Sequence, residues 1–234
     1  MPTEAVEDYL KAIRRIESRS GPPVSTSQVA AALDKTPGTV TSMLETLADR
    51  GLLSREKYEG VTLTPAGEVA ALEVVRRHRL IEAFLAEQLD YAPTEVHDEA
   101  DALEHRVSEE FTRRVERLLD HPAVDPHGDP IPPADLSVPD TSEATSVAVL
   151  DPGDRGTVVR VSDRDPDVLE FLVDAGVTPG TTVEVVDVTA FGLVTVRTDA
   201  GDKRDLPDAV ASGVSVRRDT DSGSAVDGRE AGDA

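Results

Sequence analysis

Apolar positions in the first fifty residues repeat with helical spacing in three separate segments. In residues 3–19 they recur every three or four positions, which predicts an amphipathic helix that ends before the following Gly-Pro-Pro. A second, short helix begins near Ser25, where Gln28 completes a capping box. A third helix begins after Thr36, carries proline at its first position and stops at Gly51. Its inward stripe comprises Val40, Met43, Leu44 and Leu47.

Two short β-patterned segments follow the third helix. Residues 52–55 and 61–63 flank a polar turn, and this arrangement predicts a β-hairpin. Three helices followed by a two-stranded hairpin are typical of a winged helix-turn-helix, whose third helix enters the major groove of DNA. We therefore predict a winged helix-turn-helix DNA-binding domain in residues 1–64. The alternative is a helical hairpin with a ribbon that serves packing or protein contact.

The third helix leaves small polar side chains on its exposed face. Such side chains can reach phosphates and base edges without steric bulk, and basic residues on the hairpin can contact the DNA backbone. The predicted DNA-binding residues are Thr36, Pro37, Thr39, Thr41, Ser42, Arg55 and Lys57.

Residues 65–132 carry two longer helical patterns and a Pro/Gly-rich exit loop. The first helix starts at Pro65 and runs to about Leu89, and the second starts near Pro93 and continues unbroken to about Leu119. We expect His121 to lie at the end of the second helix, where it would interact with the helix dipole. We expect His127 to be exposed in the exit loop, and we assign neither histidine as a ligand.

The other three histidines lie on these two helices, each with a carboxylate at helical spacing. His78 precedes Glu82 by four positions on the first helix. The second helix carries one stripe of ligand-type residues, His97, Asp101, Glu104 and His105. Imidazole and carboxylate donors without thiolate suit Mn²⁺ or Fe²⁺. The chain has no cysteine, which excludes zinc-thiolate sites and disulfides. The alternative is a solvated acidic helix with incidental histidines.

Beyond residue 132 the pattern changes twice. Residues 133–146 are rich in Pro, Ser, Thr and acidic side chains and are predicted to be a linker. Period-two, β-branched segments predict strands at residues 156–161, 182–188 and 193–197. With a short helix over residues 168–172, they predict a small SH3-like β-barrel in residues 147–217. Residues 218–234 are predicted to be a disordered acidic tail.

The charge of the chain is large and unevenly spread. The 24 basic and 46 acidic residues give a formal net charge of -22. Residues 1–60 contain 8 of these basic and 9 of these acidic residues, so nearly the whole net charge lies in the rest of the chain. The net charge taken alone argues against nucleic-acid binding, but a near-neutral segment is what a DNA-facing module would look like in such a chain. The acidic, lysine-poor composition resembles proteins of organisms that balance external brine with internal salt; the alternative is an ordinary acidic protein with an acidic tail.

The hydropathy of the chain also limits the classes of protein to which it can belong. Hydrophobic residues make up 38% of the chain, which is enough for a core, and no apolar run approaches the roughly 20 residues of a membrane-spanning helix. The N-terminus is acidic and amphipathic, unlike a signal peptide. We therefore expect a soluble, cytoplasmic protein without a membrane partner.

Five motifs together resemble a known family. They are EDYL at residues 7–10, RHRLIE at 77–82, HDEADALEH at 97–105, PHGDPIP at 126–132 and DAGVTPG at 174–180. The chain resembles, over residues 1–217, metal-dependent repressors of the diphtheria toxin repressor and manganese transport regulator type (DtxR/MntR) with a C-terminal FeoA-like domain.

The resemblance implies an α+β fold and a homodimeric, metal-dependent regulator that binds a double-stranded DNA operator, represses metal-uptake genes and is not an enzyme. Residues 65–132 would then be the helical dimerisation and metal-binding domain. Two sites for Mn²⁺ or Fe²⁺ per subunit are implied. The regulatory site would be Asp8, Asp101, Glu104 and His105. The ancillary site would be His78, Glu82 and His97, with Asp165 from the C-terminal domain.

Residue 11 departs from the manganese-type pattern. Carboxylates at Asp8 and Asp101 resemble the manganese-type members, but Lys11 stands where those members have a glutamate, which argues against a binuclear site. In this account a divalent ion relieves the repulsion of the carboxylates, ties the first helix to the dimerisation helix and fixes the spacing of two recognition helices. The alternatives are a metallohydrolase or a metal-binding adaptor that does not bind DNA.

Overall fold

The computed structural model describes residues 3–56, 59–139, 143–163 and 165–219. The chain divides into two compact units, residues 1–140 and 141–234. The first unit is helical with one hairpin and the second is built around a β-sheet, so the predicted α+β class is confirmed. In the part of the chain that is described, no helix has the length and apolar character needed to cross a membrane. Most of the predicted disordered tail, residues 220–234, lies outside the described residues.

The first unit begins with the predicted three helices and hairpin. These elements are α1 (Glu4–Ser20), α2 (Thr26–Leu33), α3 (Pro37–Asp49), β1 (Leu53–Glu56) and β2 (Gly60–Leu63). The backbone N–H of Gln28 donates to the Ser25 hydroxyl and the backbone N–H of Ser25 donates to the Gln28 side chain, so the predicted capping box is present. Thr36 caps α3 in the same way, through the backbone N–H of Thr39. Local signals therefore fix where these helices begin.

The core of this region joins α1 to α3 and to the next helix. Leu10 and Ile13 of α1 pack with Val40 and Leu44 of α3 in one buried apolar cluster. Ala71, from the helix that follows the hairpin, belongs to the same cluster. One close-packed apolar cluster therefore holds residues of both α1 and α3.

The remainder of the first unit contains three helices, where two were predicted. They are α4 (Pro65–Leu89), α5 (Val96–Glu104) and α6 (Glu109–Leu118). The prediction of one unbroken helix from Pro93 to Leu119 is wrong. The chain breaks after α5 because the Ser108 hydroxyl accepts a hydrogen bond from the backbone N–H of Phe111 and starts a new helix there.

Helix α4 lies between the other two and presents a different face to each. Ile81 and Leu85 pack with Val96 and Ala100 of α5. Leu80 packs with side chains of α6 and the exit loop in a separate apolar cluster. His78 and Glu82 are on the α5 side of α4, one turn apart, and both are buried.

The second unit contains a six-stranded antiparallel sheet in the order β3-β8-β4-β5-β6-β7. Its elements are β3 (Thr145–Ser146), β4 (Arg155–Val161), α7 (Pro166–Asp174), β5 (Thr182–Val188), β6 (Leu193–Thr198), β7 (Lys203–Pro207), α8 (Asp208–Ala211) and β8 (Val214–Arg218). The three predicted strands and the helix between the first two are confirmed. Strand β3 lies inside the stretch predicted as linker, where it pairs with β8. The core is rich in valine, with Val185 and Val196 fully buried.

Candidate metal centre

Ionisable side chains fill the junction of α1, α4 and α5. Glu7 of α1, His78 and Glu82 of α4, and Glu104 of α5 are all buried. A buried charge is costly unless it is paired, so each of these groups needs a partner of opposite charge or a hydrogen bond. The partners come from neighbouring helices, which makes this junction a site rather than a set of independent surface charges.

His105, the residue after α5, connects α5 to α1. Its Nδ1 lies 2.7 Å from Oε2 of Glu7, and its Nε2 lies 2.9 Å from Oδ1 of Asp8. One ligand atom each from Asp8, Glu104 and His105 lie within 4.8 Å of one another. The structure thus brings together three of the four residues assigned to the regulatory site.

The fourth of these residues, Asp101, lies on the other side of Glu104. The Asp101 carboxylate lies beside His78 and His97, and ligand atoms of these three residues are within 4.8 Å of one another. Oε2 of Glu104 is 2.7 Å from Nδ1 of His78, so Glu104 connects the two groups. The predicted stripe on one helix face is therefore divided, because α5 ends at Glu104 and His105 turns towards α1. A regulatory role for Asp101 stays a prediction.

Two of the residues assigned to the ancillary site, His78 and His97, lie close to the carboxylate of a third, Glu82. Oε1 of Glu82 lies 3.0 Å from Nε2 of His78 and 3.1 Å from Nδ1 of His97. The fourth assigned residue, Asp165, is in the second unit, where its side chain accepts hydrogen bonds from the backbone N–H groups of Asp167 and Val168 and caps α7. Its role as a ligand is untested.

Four residues of the site were not predicted from the sequence to belong to it. Glu7 binds His105 and also receives the guanidinium of Arg77, 3.2 Å away. Lys11 extends from α1 so that its Nζ lies 2.7 Å from both Asp101 and Glu104. Asp125 and His127 of the exit loop form a third group of possible metal ligands together with Glu82.

The prediction that His127 is exposed is wrong, because only 1% of the residue is accessible. The backbone N–H groups of His127 and Asp129 both donate to Oδ1 of Asp125, which folds the exit loop into a tight turn. The ring Nε2 is 2.8 Å from the carbonyl oxygen of Pro93, and Nδ1 has no hydrogen bond in the described part of the chain. Ligand atoms of Glu82, Asp125 and His127 lie within 4.8 Å of one another.

The pKa values of the ionisable groups in this site are set by two opposed effects, burial and the charges of neighbouring groups. Burial lowers the pKa of His78, but the carboxylates of Glu82 and Glu104 outweigh it and raise that pKa to about 9. Burial raises the pKa of Glu82, but His78 and His97 bring it well below its usual value. Burial lowers the pKa of Lys11, but Glu104 and Asp101 raise it above its usual value. Protonated His78 and Lys11 thus supply the positive charge that the carboxylates require.

Burial raises the pKa of Asp125 well above its usual value, and the neighbouring charges of Glu82 and Asp129 add to this effect. The two effects are also opposed at His105, where burial lowers the pKa but the hydrogen bond to Glu7 leaves it raised. The donor set therefore fits a hard divalent ion, because it offers carboxylate oxygens and imidazole nitrogens whose protons or cations a metal ion would replace.

The predicted DNA-facing side chains of α3 lie mostly at the surface. Thr36, Pro37, Thr39 and Ser42 are exposed. Thr41, predicted to be exposed, is only half-exposed, and its hydroxyl donates to the carbonyl of Pro37. On the hairpin, Arg55 is exposed and 3.0 Å from Glu45. The predicted contact Lys57 lies outside the described residues.

Three family models match successive parts of the chain. The model described as the iron dependent repressor N-terminal DNA binding domain matches residues 1–61. The iron dependent repressor metal binding and dimerisation domain matches residues 64–133, and the FeoA domain matches residues 145–218.

Relatives that match nearly the whole chain are repressors of the same kind. The iron-dependent repressor IdeR of Mycobacterium tuberculosis is 31% identical over 226 residues, which cover 92% of this chain and 97% of the relative. The diphtheria toxin repressor of Corynebacterium glutamicum is 28% identical over 224 residues, covering 92% and 96%. Among solved structures, a manganese-dependent transcriptional repressor in complex with manganese is similar with a TM-score of 0.86 and 38% identity, covering 91% of this chain and 99% of that chain.

Proposed function

Because the chain belongs to the family of metal-dependent DNA-binding repressors that includes IdeR and the diphtheria toxin repressor, we propose that Mn²⁺ or Fe²⁺ bound at the junction of α1, α4 and α5 switches its DNA binding, with metal-uptake genes as its targets. As a member of this family the protein is a metal-dependent transcriptional repressor and not an enzyme. The metal ion acts as a ligand that shifts the protein between conformations.

The observation that carries the proposal is the connection between Asp8 on α1 and Glu104 and His105 at the end of α5. Their carboxylates repel one another when no cation lies between them. A divalent ion held by these residues would supply the missing positive charge and join α1 to α5. Since α1 shares its apolar core with α3, fixing α1 also fixes the helix proposed to read DNA.

The donor chemistry supports Mn²⁺ first and Fe²⁺ second. The proposed ligands are oxygen and imidazole nitrogen, without the sulfur donors that favour softer metals. Affinity alone follows the general order of divalent ions, so Zn²⁺ is expected to bind tightly without producing the active geometry. We propose one ion at Asp8, Glu104 and His105, with Asp101 alongside, and a second at His78, Glu82 and His97.

DNA recognition is proposed to use two copies of the chain. The exposed Thr39 and Ser42 of α3 would face base edges, with Arg55 on the hairpin gripping the phosphates. A homodimer would place two such helices on half-sites about one turn of DNA, or a multiple of it, apart. The near-neutral first 60 residues limit the electrostatic penalty that an acidic chain meets on DNA.

The test is the affinity of the full chain for DNA fragments selected in vitro in the presence of Mn²⁺. Affinity is measured by mobility shift at fixed salt with no metal, Mn²⁺, anaerobic Fe²⁺ or Zn²⁺. We expect Mn²⁺ or Fe²⁺ to raise affinity by about 10- to 100-fold, in the range of ordinary allosteric coupling. Equal affinity with and without Mn²⁺ and Fe²⁺ would contradict the proposal, and so would activation by Zn²⁺ at concentrations where both of the others fail.

A further inference from the structure

Lys11 places a fixed positive charge among the residues that offer ligands to a metal ion. Its Nζ lies 2.7 Å from Oδ1 of Asp101, 2.7 Å from Oε1 of Glu104 and 3.5 Å from Nδ1 of His78. The side chain is only 20% exposed. Asp101 and His78 belong to one candidate metal group and Glu104 to the other. The ammonium group therefore occupies donor atoms of both groups.

The charges around Glu104 show why a cation is needed there. Four carboxylates, those of Glu7, Asp8, Asp101 and Glu104, are connected by short contacts. Two basic side chains accompany them: Lys11, and Arg77, whose guanidinium contacts Glu7 and the carbonyl of Glu104. Once an ion has displaced the imidazole protons, these four negative and two positive groups leave a formal charge of -2, which one divalent ion neutralises.

We propose that Lys11 is a tethered competitor of the metal ion: its ammonium group holds the oxygens of Asp101 and Glu104 in the metal-free protein, and an ion gains those oxygens only by displacing it. This inference rests on the proposed function and specifies how its threshold is set. Displacing Lys11 breaks its ion pairs with Asp101 and Glu104, and the free energy that this costs makes metal binding less favourable. Lys11 thereby raises the metal concentration at which the repressor switches.

The competition also gives Lys11 a structural role when no metal is bound. Lys11 is on α1 and its two carboxylate partners are on α5, so the same side chain joins the two helices that the metal ion would join. An ammonium group makes this connection with one charge and flexible geometry, whereas a divalent ion makes it with two charges and fixed coordination. The two states therefore differ in how firmly α1 is held.

The test is Mn²⁺ binding by the full chain, measured by isothermal titration calorimetry and by the electron paramagnetic resonance signal of free Mn²⁺, without DNA. The variant Lys11→Met keeps the length of the side chain and removes its charge. We expect its Mn²⁺ dissociation constant to fall about tenfold, because a unit charge a few ångströms from the ion is removed. The matched control Lys203→Met changes the net charge equally on an exposed strand of the second unit and should leave the constant within about twofold.

The conservative variant Lys11→Arg keeps the charge and should bind Mn²⁺ much as the unaltered chain does. Circular dichroism of each variant reports whether it folds; if Lys11→Met does not, Lys11→Gln makes the same test. Unchanged or weaker Mn²⁺ binding by the folded uncharged variant overturns the inference. The variant Glu104→Ala separates this failure from that of the proposed function. Loss of binding in Glu104→Ala with no gain in Lys11→Met refutes only the competitor role, whereas intact binding in Glu104→Ala refutes both.

Discussion

The interiors of the two units differ in what they bury. In the first unit the buried residues include six ionisable side chains: Glu7, His78, Glu82, Glu104, Asp125 and His127. In the second unit, among the described residues, the buried polar side chains are the hydroxyls of Thr198 and Ser215, and the rest of the core is apolar. The first interior thus holds ionisable groups beside its apolar clusters, whereas the second, among the described residues, is packed almost entirely from apolar side chains.

A switch that responds to ions or protons needs a buried group whose charge can change. A close-packed apolar core has one favourable arrangement, and it contains no group that takes up a proton or binds a metal ion. A buried cluster of carboxylates and imidazoles is stable only with protons, a lysine or a metal ion among its members, so its free energy changes with each of these. The first unit is therefore expected to respond to its chemical surroundings, and the second to remain constant.

The largest expected effect comes from removing the carboxylate that connects the two ligand groups. In Glu104→Ala we expect metal-activated DNA binding to be lost, because Glu104 contacts Lys11, His78 and His105 at once. The measurement is DNA affinity with and without Mn²⁺. The control Glu184→Ala removes a carboxylate that pairs with Arg197 on the sheet of the second unit, and should retain full activation. Full activation in Glu104→Ala would remove this residue from the site.

A cavity in the second unit should affect stability alone. Leu206 is fully buried in the valine-rich core, so Leu206→Ala should cost about 2–5 kcal/mol in the free energy of unfolding. Chemical denaturation measures this loss, and titration calorimetry should show Mn²⁺ affinity within about twofold of the unaltered chain at a temperature where the variant is folded. A large change in Mn²⁺ affinity of the folded variant would contradict the division of roles between the two interiors.

Base readout is expected to belong to the first unit as well. Ser42 is exposed on α3, and Ser42→Ala should cost roughly 1–3 kcal/mol in DNA binding and change the sequence preference. Ser212, an exposed serine after α8, provides the control, since Ser212→Ala should change neither. Affinities across a set of operator variants make the comparison. Unchanged preference in Ser42→Ala would exclude Ser42 from readout.

The pH dependence should have opposite signs for metal binding and for the metal-free fold. His78 has an ordinary pKa of 6.5 and a folded pKa of about 9, so its proton stabilises the metal-free protein below pH 6.5 and this contribution is lost as the pH rises through about 9. A metal ion must displace the same proton, so Mn²⁺ affinity should rise with pH across this window, by up to about tenfold per unit.

Calorimetry in two buffers of different ionisation enthalpy measures the proton released when Mn²⁺ binds. Near neutral pH we expect release of about one proton per ion that uses His78. Replacement of the exposed His121 by Gln should leave this number unchanged, since His121 is at the surface beside Glu116. Mn²⁺ binding without proton release would contradict the assignment of His78.

Features that depend on a few neighbouring residues, such as where a helix starts, could be predicted from the sequence. The starts of α2, α3 and α4 follow from Ser25, Thr36 and Thr64, each of which caps its own helix. The break after α5 was missed because apolar spacing continues across Ser108, and only the capping hydrogen bond reveals it. Strand β7 was missed because it lies at the edge of the sheet and carries charged residues and a proline in place of a regular alternation.

The candidate site was predicted in its ligand types but not in its grouping. Helical spacing places His78 beside Glu82 because both are on one helix. Spacing along one helix could not show that Asp101 groups with His78, or that Lys11 reaches across to α5, because these contacts depend on how three helices pack. The burial of His127 was equally hidden, since it depends on the fold of the exit loop against α4.

If a metal ion at this cluster fastens α1 to α5, hydrogen exchange of the full chain should differ with and without Mn²⁺. We expect Mn²⁺ to slow exchange of the backbone amides in α1 and α5 by about tenfold or more, because the ion suppresses their local opening. We also expect the Glu104→Ala protein to show no such slowing. Exchange in α1 and α5 that is unaffected by saturating Mn²⁺, or that slows equally in Glu104→Ala, would mean that no ion at Glu104 joins the two helices.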